Sequence, residues 1–82
     1  MLSAYVLIRF HKTQAEDKPL PLQKLIKEIK AIRGVKKAHC LYGDIDGIAY
    51  VEAKSAKLFS DIVREIGSIP GIEKTDTRII VF

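Results

Sequence analysis

The 82 residues carry 14 Lys and Arg against 10 Asp and Glu, a net charge of +4, and 48% of them are hydrophobic with no Trp. A chain this short is one domain, 1–82, and buries only roughly 60% of its unfolded surface, so its apolar content exceeds what one small core hides and points to an oligomer. One Cys excludes an internal disulfide, no metal-ligand spacing surrounds it, and AYVLIRFH is too short for a signal segment or a membrane span, which makes a reduced, cytoplasmic setting the default.

In chain order, AYVLIRF (4–10) is a β-rich run ended by the polar stretch KTQAEDKP. Pro21 opens a segment in which Leu22, Leu25, Ile26, Ile29 and Ile32 recur at the spacing of one helical face, and Gly34 stops it. VKKAHCLY (35–42) reads as a strand, the turn Gly43–Gly47 follows, and IAYVEAK (48–54) is a third strand. Ser55 is the N-cap of a second helix with Leu58, Phe59, Ile62, Val63 and Ile66 on its apolar side. Pro70-Gly71 ends that helix, and IEKTDTRIIVF closes the chain as a strand.

The two helix-to-strand passages are copies. Leu25, Ile26, Glu28, Ile29, Ile32, Gly34 and Val35 each recur 37 residues later as Ile62, Val63, Glu65, Ile66, Ile69, Gly71 and Ile72. A twice-repeated βαβ unit predicts the ferredoxin-like α+β fold, βαββαβ. Right-handed crossovers then put both helices on one face of a four-stranded antiparallel sheet. Ala4, Val6, Ile8 and Phe10 share one side of the first strand, and Ala49, Val51 and Ala53 one side of the third. With helices over that set, Tyr5, Leu7, Ile48 and Tyr50 form an apolar stripe on the bare face, an interaction surface for a second copy or for a nucleic acid.

RNA-recognition domains have the same element order and stack bases on aromatic residues of their first and third strands. Gly47, Ala49 and Val51 fit the third-strand motif, Tyr50 substitutes one aromatic for another, and Tyr5 offers a second ring. Against this, Asp46 stands where a cation meets phosphate, Asp44 adds a second negative charge, and Ile48 and Ala53 replace aromatic positions. An RNA-binding domain stacking bases on Tyr5 and Tyr50 is therefore the alternative reading. The basic run Lys24, Lys27, Lys30, Arg33, Lys36 and Lys37 reads as a solvated helix face, interrupted by Glu28. Absent Asn and abundant Lys, Glu and Ile resemble heat-stable compositions.

Taken alone, Gly43-Asp44-Ile45-Asp46 is a hairpin turn, since Gly permits positive φ and Asp side chains bond nearby amides. Its context includes IPGIEKTDT (69–77), in which Thr75 and Thr77 point to one side of the last strand. AYVLIRF, YGDIDGIAYVEA and IPGIEKTDTRIIVF, in this order over essentially the whole chain, resemble the effector-binding domain of the Lrp/AsnC family of transcription regulators, also called the RAM domain. The most specific elements are Gly-x-x-Asp at Gly43 and Asp46 and I-P-G-I-x-x-T-x-T at 69–77.

That resemblance implies dimers formed through the open sheet faces, a larger ring of dimers, and an amino-acid effector bound near the loop. Carried over by position, Gly43 and Asp46 shape the site, Asp44 is their neighbour, and Thr75 and Thr77 match the family pattern. A carboxylate of the loop could meet the ligand's ammonium group while loop amides take its carboxyl group. Ile45 departs from the family, which often has an aromatic residue there. The first strand begins almost at Met1, so the likeness is to a stand-alone domain without a helix-turn-helix, and direct DNA binding is not expected. A full-length regulator of the family is the expected partner. No cofactor, metal or membrane is implied, nor is catalysis: His39 and Cys40 project to opposite faces, so they form no nucleophilic pair.

Overall fold

Strand β1 (Leu2–Phe10) runs through the interior of a four-stranded sheet of order β2-β3-β1-β4, flanked by β3 (Gly47–Ala53) and β4 (Ile72–Ile79), with β2 (Val35–Cys40) outside β3. Every pairing is antiparallel. Helices α1 (Leu22–Lys30) and α2 (Ala56–Gly67) complete the order βαββαβ, the ferredoxin-like α+β fold that the repeat predicts. The structure, a computed structural model, describes residues 1–11 and 22–82; the polar stretch after β1 and the helix-opening Pro21 lie outside the described residues.

Alternation decides which side chains enter the core. Ala4, Val6, Ile8 and Phe10 of β1 and Ala49, Val51 and Ala53 of β3 are buried beneath Leu25 and Ile29 of α1 and Phe59, Ile62 and Ile66 of α2. No buried residue among those described is polar or charged, so the core is held by apolar burial alone. Ser55 caps α2, its hydroxyl accepting from the Leu58 N–H at 3.2 Å.

Some boundaries differ from the sequence reading. Strand β2 stops at Cys40, and Leu41 and Tyr42 are exposed. The last strand stops at Ile79; Ile80 still donates its N–H to the Ser3 carbonyl at 2.9 Å, while Val81 and Phe82 project into solvent. Leu22 and Leu58 are exposed as well, each lying in the first turn of its helix, ahead of the residues that meet the sheet.

The sequence repeat is also a repeat of geometry. Gly34 and Gly71 take φ of +101° and +104°, and the turns around them close with Val35 N–H to Ile32 O and Ile72 N–H to Ile69 O, both 3.1 Å. The Gly34 carbonyl accepts from Glu52 at 2.9 Å, and the Gly71 carbonyl from His11 at 2.8 Å. A Cβ on Gly34 would strike Cδ1 of Ile62, and one on Gly71 would meet Cδ2 of Leu25 at 3.0 Å. Leu25 and Ile62 are themselves repeat partners, so each half packs its aliphatic anchor on the glycine of the other.

Gly34→Ala combines a left-handed backbone with overpacking and is expected to cost about 2–4 kcal/mol in denaturant unfolding. Gly67→Ala, at the end of α2 with no atom beyond its chain neighbours and its own helix backbone within 4 Å of the new Cβ, is the control, with a change of less than about 1 kcal/mol toward greater stability.

Candidate functional site

Asp46 is tied to the central strand. Its N–H donates to the Ile8 carbonyl at 3.1 Å, its carbonyl accepts from Leu41 at 2.8 Å, and its carboxylate Oδ2 accepts the Phe10 N–H at 2.9 Å. The backbone thus extends the β1–β3 ladder one residue past the pair Ile8 and Gly47. Gly43, at φ +148°, provides the bend that any side chain would strain. Between these two fixed points Asp44 is exposed and Ile45 half-buried.

Asp44 and Ile45 wall a cavity of about 300 Å³ over the loop-side end of β1 and β4, where Arg9, Lys74, Asp76 and Arg78 supply its charge and Leu7 its apolar floor. By register, Arg9 opposes Lys74, Leu7 opposes Asp76 and Tyr5 opposes Arg78, so these side chains share the sheet face away from the helices. Arg78 closes on Asp76 through two hydrogen bonds, Nη2 to Oδ2 at 2.8 Å and Nε to Oδ1 at 3.2 Å. These bonds hold the Asp76 carboxyl below the usual carboxylate range, with the charges of Arg78 and Lys74 adding to the effect, and they raise the guanidinium.

The five residues expected to bind a ligand are not gathered at one point. Asp44 and Thr75 line the cavity. Gly43 and Asp46 shape its loop from outside, Asp46 with one carboxylate oxygen engaged by the Phe10 amide. Thr75 and Thr77 do share a face, but it is the helix-facing one, opposite Ile8 and Val6, so Thr75 borders the cavity from a strand position whose side chain faces the other way, and Thr77 lies away from the cavity. Sequence reasoning misses Arg9, Lys74, Asp76 and Arg78 as a group. The alternation of KTDTR is the available signal; which β1 residues it opposes follows only from the register.

On the same open face, Tyr5 and Tyr50 oppose each other across β1 and β3, their ring centroids 5.4 Å apart and tilted by 49°. The Tyr50 hydroxyl donates to Glu52 at 2.9 Å. Tyr5, Tyr50 and Ile48 also line a shallow hollow of about 490 Å³ with Lys37, His39 and Ile80. Tyr5 is 44% exposed and Ile80 37%. The two rings pack on one another rather than standing apart as separate stacking platforms.

Cys40 lies across from Gly47 and His39 across from Ile48, on opposite faces. Partial burial and the Asp46 carboxylate push the Cys40 thiol up, which keeps it protonated and weakly nucleophilic at neutral pH. Among the described residues no group of three or more His, Cys, Asp or Glu could hold a metal ion, and no helix is long and apolar enough to cross a membrane.

The model of a family described as the Lrp/AsnC ligand binding domain matches residues 3–81. A solved structure from Thermus thermophilus is 26% identical, with a TM-score of 0.81 over 100% of this chain and 95% of that one. A hypothetical protein from Pyrococcus horikoshii is 28% identical, with a TM-score of 0.78 over 100% and 92%. The leucine response regulatory protein LrpA of Mycobacterium tuberculosis shares the fold at 21% identity and a TM-score of 0.73; there 99% of this chain corresponds to 51% of that one. Among curated proteins, none matches.

Asp46→Ala removes the acceptor of the Phe10 N–H and is expected to cost about 1–3 kcal/mol, with faster hydrogen exchange at that amide. Asp44→Ala, at an exposed position, is expected to leave both quantities unchanged. Equal losses in the two variants would contradict this division between loop anchor and free carboxylate. In a carboxyl titration followed by NMR, Asp76 is expected to titrate below ordinary aspartates and to return to their range in Arg78→Ala.

Proposed function

Since this chain belongs to the Lrp/AsnC ligand binding domain family, we propose that it is an amino-acid-sensing module that self-associates through its open sheet face and modulates a full-length regulator of the same family. The observation that carries the proposal is the cavity beside the Gly43–Asp46 loop, where the exposed Asp44 has no bonded partner among the described residues while Asp46 holds the loop to β1. In this reading the Asp44 carboxylate meets the ammonium group of the effector, and loop amides receive its α-carboxylate. Gly43 and Asp46 give the loop its shape, and Thr75 lies at the cavity wall.

Self-association is supported by the apolar content of the bare face. Tyr5, Leu7, Ile48 and Tyr50 form its centre, and Ile80 extends it toward the chain end. A face of this kind, opposite a fully apolar core, is what a second copy covers in a two-sheet sandwich. An effector bound at the rim shifts assembly by as much as its affinity differs between the free and the associated states. A regulator that shares this domain can join such an assembly, and so the module acts on transcription without contacting DNA.

Calorimetric titration with the twenty amino acids tests the sensing role. At least one is expected to bind wild type, with binding lost in Asp44→Ala. Silence with all twenty across several salt concentrations would remove the role. Light scattering at micromolar concentration is expected to give a dimer or a larger assembly, reduced toward monomer by Ile48→Glu; a wild-type monomer contradicts the sheet-face association. Salt-dependent binding of single-stranded oligonucleotides, lost in Tyr5→Ala and Tyr50→Ala, would instead favour base stacking on that face.

A further inference from the structure

The cavity beside the loop holds a pair of like charges with no ion-pair partner among the described residues. Arg9 and Lys74 are direct cross-strand partners, an arrangement that destabilises an antiparallel pair. Neither has an ion-pair partner among the described residues, whereas the neighbouring Arg78 is closed on Asp76. Glu73, next in sequence, is skipped by the pairing where Arg9 and Lys74 give way to Phe10 and Ile72, and it forms no ion pair with either cation. That irregularity puts Ile72 into the core opposite Phe10 and leaves the two cations side by side on the open face.

We infer that this site takes an amino acid with an acidic side chain, of the aspartate and glutamate class; the inference rests on the effector-binding role proposed above. Among the described residues, three cations, Arg9, Lys74 and Arg78, face two carboxylates, Asp44 and Asp76, so this lining carries a net charge of +1. A zwitterionic neutral amino acid leaves that charge in place, and an acidic one cancels it. The ammonium group goes to Asp44, the α-carboxylate to the loop amides, and the side-chain carboxylate to the Arg9–Lys74 pair, which a single carboxylate bridges by charge-assisted hydrogen bonds. A volume of about 300 Å³ is at the small end for ligand pockets and suits a molecule of a few carbon atoms.

The same pair couples the ligand to assembly. Arg9 and Lys74 share the open face with Leu7 and Tyr5, so a second copy covering that face draws two like charges away from water, at a cost. A bound dicarboxylate neutralises them first. Acidic ligand and self-association therefore strengthen each other, and the coupling is reciprocal.

Calorimetry at low ionic strength, comparing glutamate and aspartate with glutamine and asparagine, tests the inference, because each pair differs only in charge and hydrogen bonding at the side-chain terminus. The acids are expected to bind about tenfold tighter or more, with the preference shrinking as salt rises. Lys74→Gln and Arg9→Gln are each expected to bring the acids down toward the amides. Glutarate, which lacks the ammonium group, should bind more weakly than glutamate and gain affinity in Asp44→Asn. Lys74→Gln is expected to melt close to wild type without ligand, since it removes the repulsion by Arg9 together with the attraction by Asp76, which separates lost binding from lost folding. Amides that bind wild type as tightly as the acids overturn the inference and leave the effector role standing. If neither acids nor amides bind while another of the twenty amino acids does, the inference fails and the effector role stands; silence with all twenty removes both.

Discussion

At the end of the central strand, the Phe10 N–H donates to a side chain, the Asp46 carboxylate, at 2.9 Å. Much of the local architecture depends on that bond. It continues the β1–β3 edge beyond the last paired residues and fixes the loop against β1, and with the bend at Gly43 it presents Asp44 to the cavity. A carboxylate spent on a backbone amide loses part of its capacity for a ligand. The two acids of the loop, so similar in sequence, thereby acquire different tasks.

The two faces of the sheet divide the remaining work. On one, the crossed packing of Leu25 on Gly71 and Ile62 on Gly34 locks the halves together around an apolar core. On the other, aromatic and aliphatic side chains lie between Lys37 and His39 at one edge and Asp76 and Arg78 at the other. A face with that mixture gains by being covered only if its charges are paired or neutralised as it closes. This is the physical basis for linking a small ligand at the rim to association of the whole surface.

The strength of the sequence signals explains which parts could be read from them. The 37-residue repeat carried both helices, both glycine turns and the strand order in outline, because each copy places apolar residues and a turn glycine at matching positions. Regular alternation in β1 and β3 was enough to put Tyr5, Leu7, Ile48 and Tyr50 on the open face. Pairing irregularities are silent in a sequence. Those at Lys36 and Glu73 decide how Val35 and Ile72 reach the core, and the opposition of Arg9 to Lys74 depends on a register no local pattern specifies. Thr75 and Thr77 were legible as a pair, but whether their side faces helices or solvent required β1 beside them. For Asp46, the sequence shows a carboxylate in a turn without showing which amide it meets.

The central claim is that the loop and the Arg9–Lys74 pair form one effector site, and backbone amide shifts followed by NMR during a glutamate titration test it most directly. The expected result is a saturable shift centred on Asp44, Ile45, Arg9 and Lys74, with the Phe10 amide still protected by Asp46. Saturable shifts centred instead on Arg33, Lys54 and Asp61, which line a separate cavity of about 610 Å³, or no shifts at all, would contradict it.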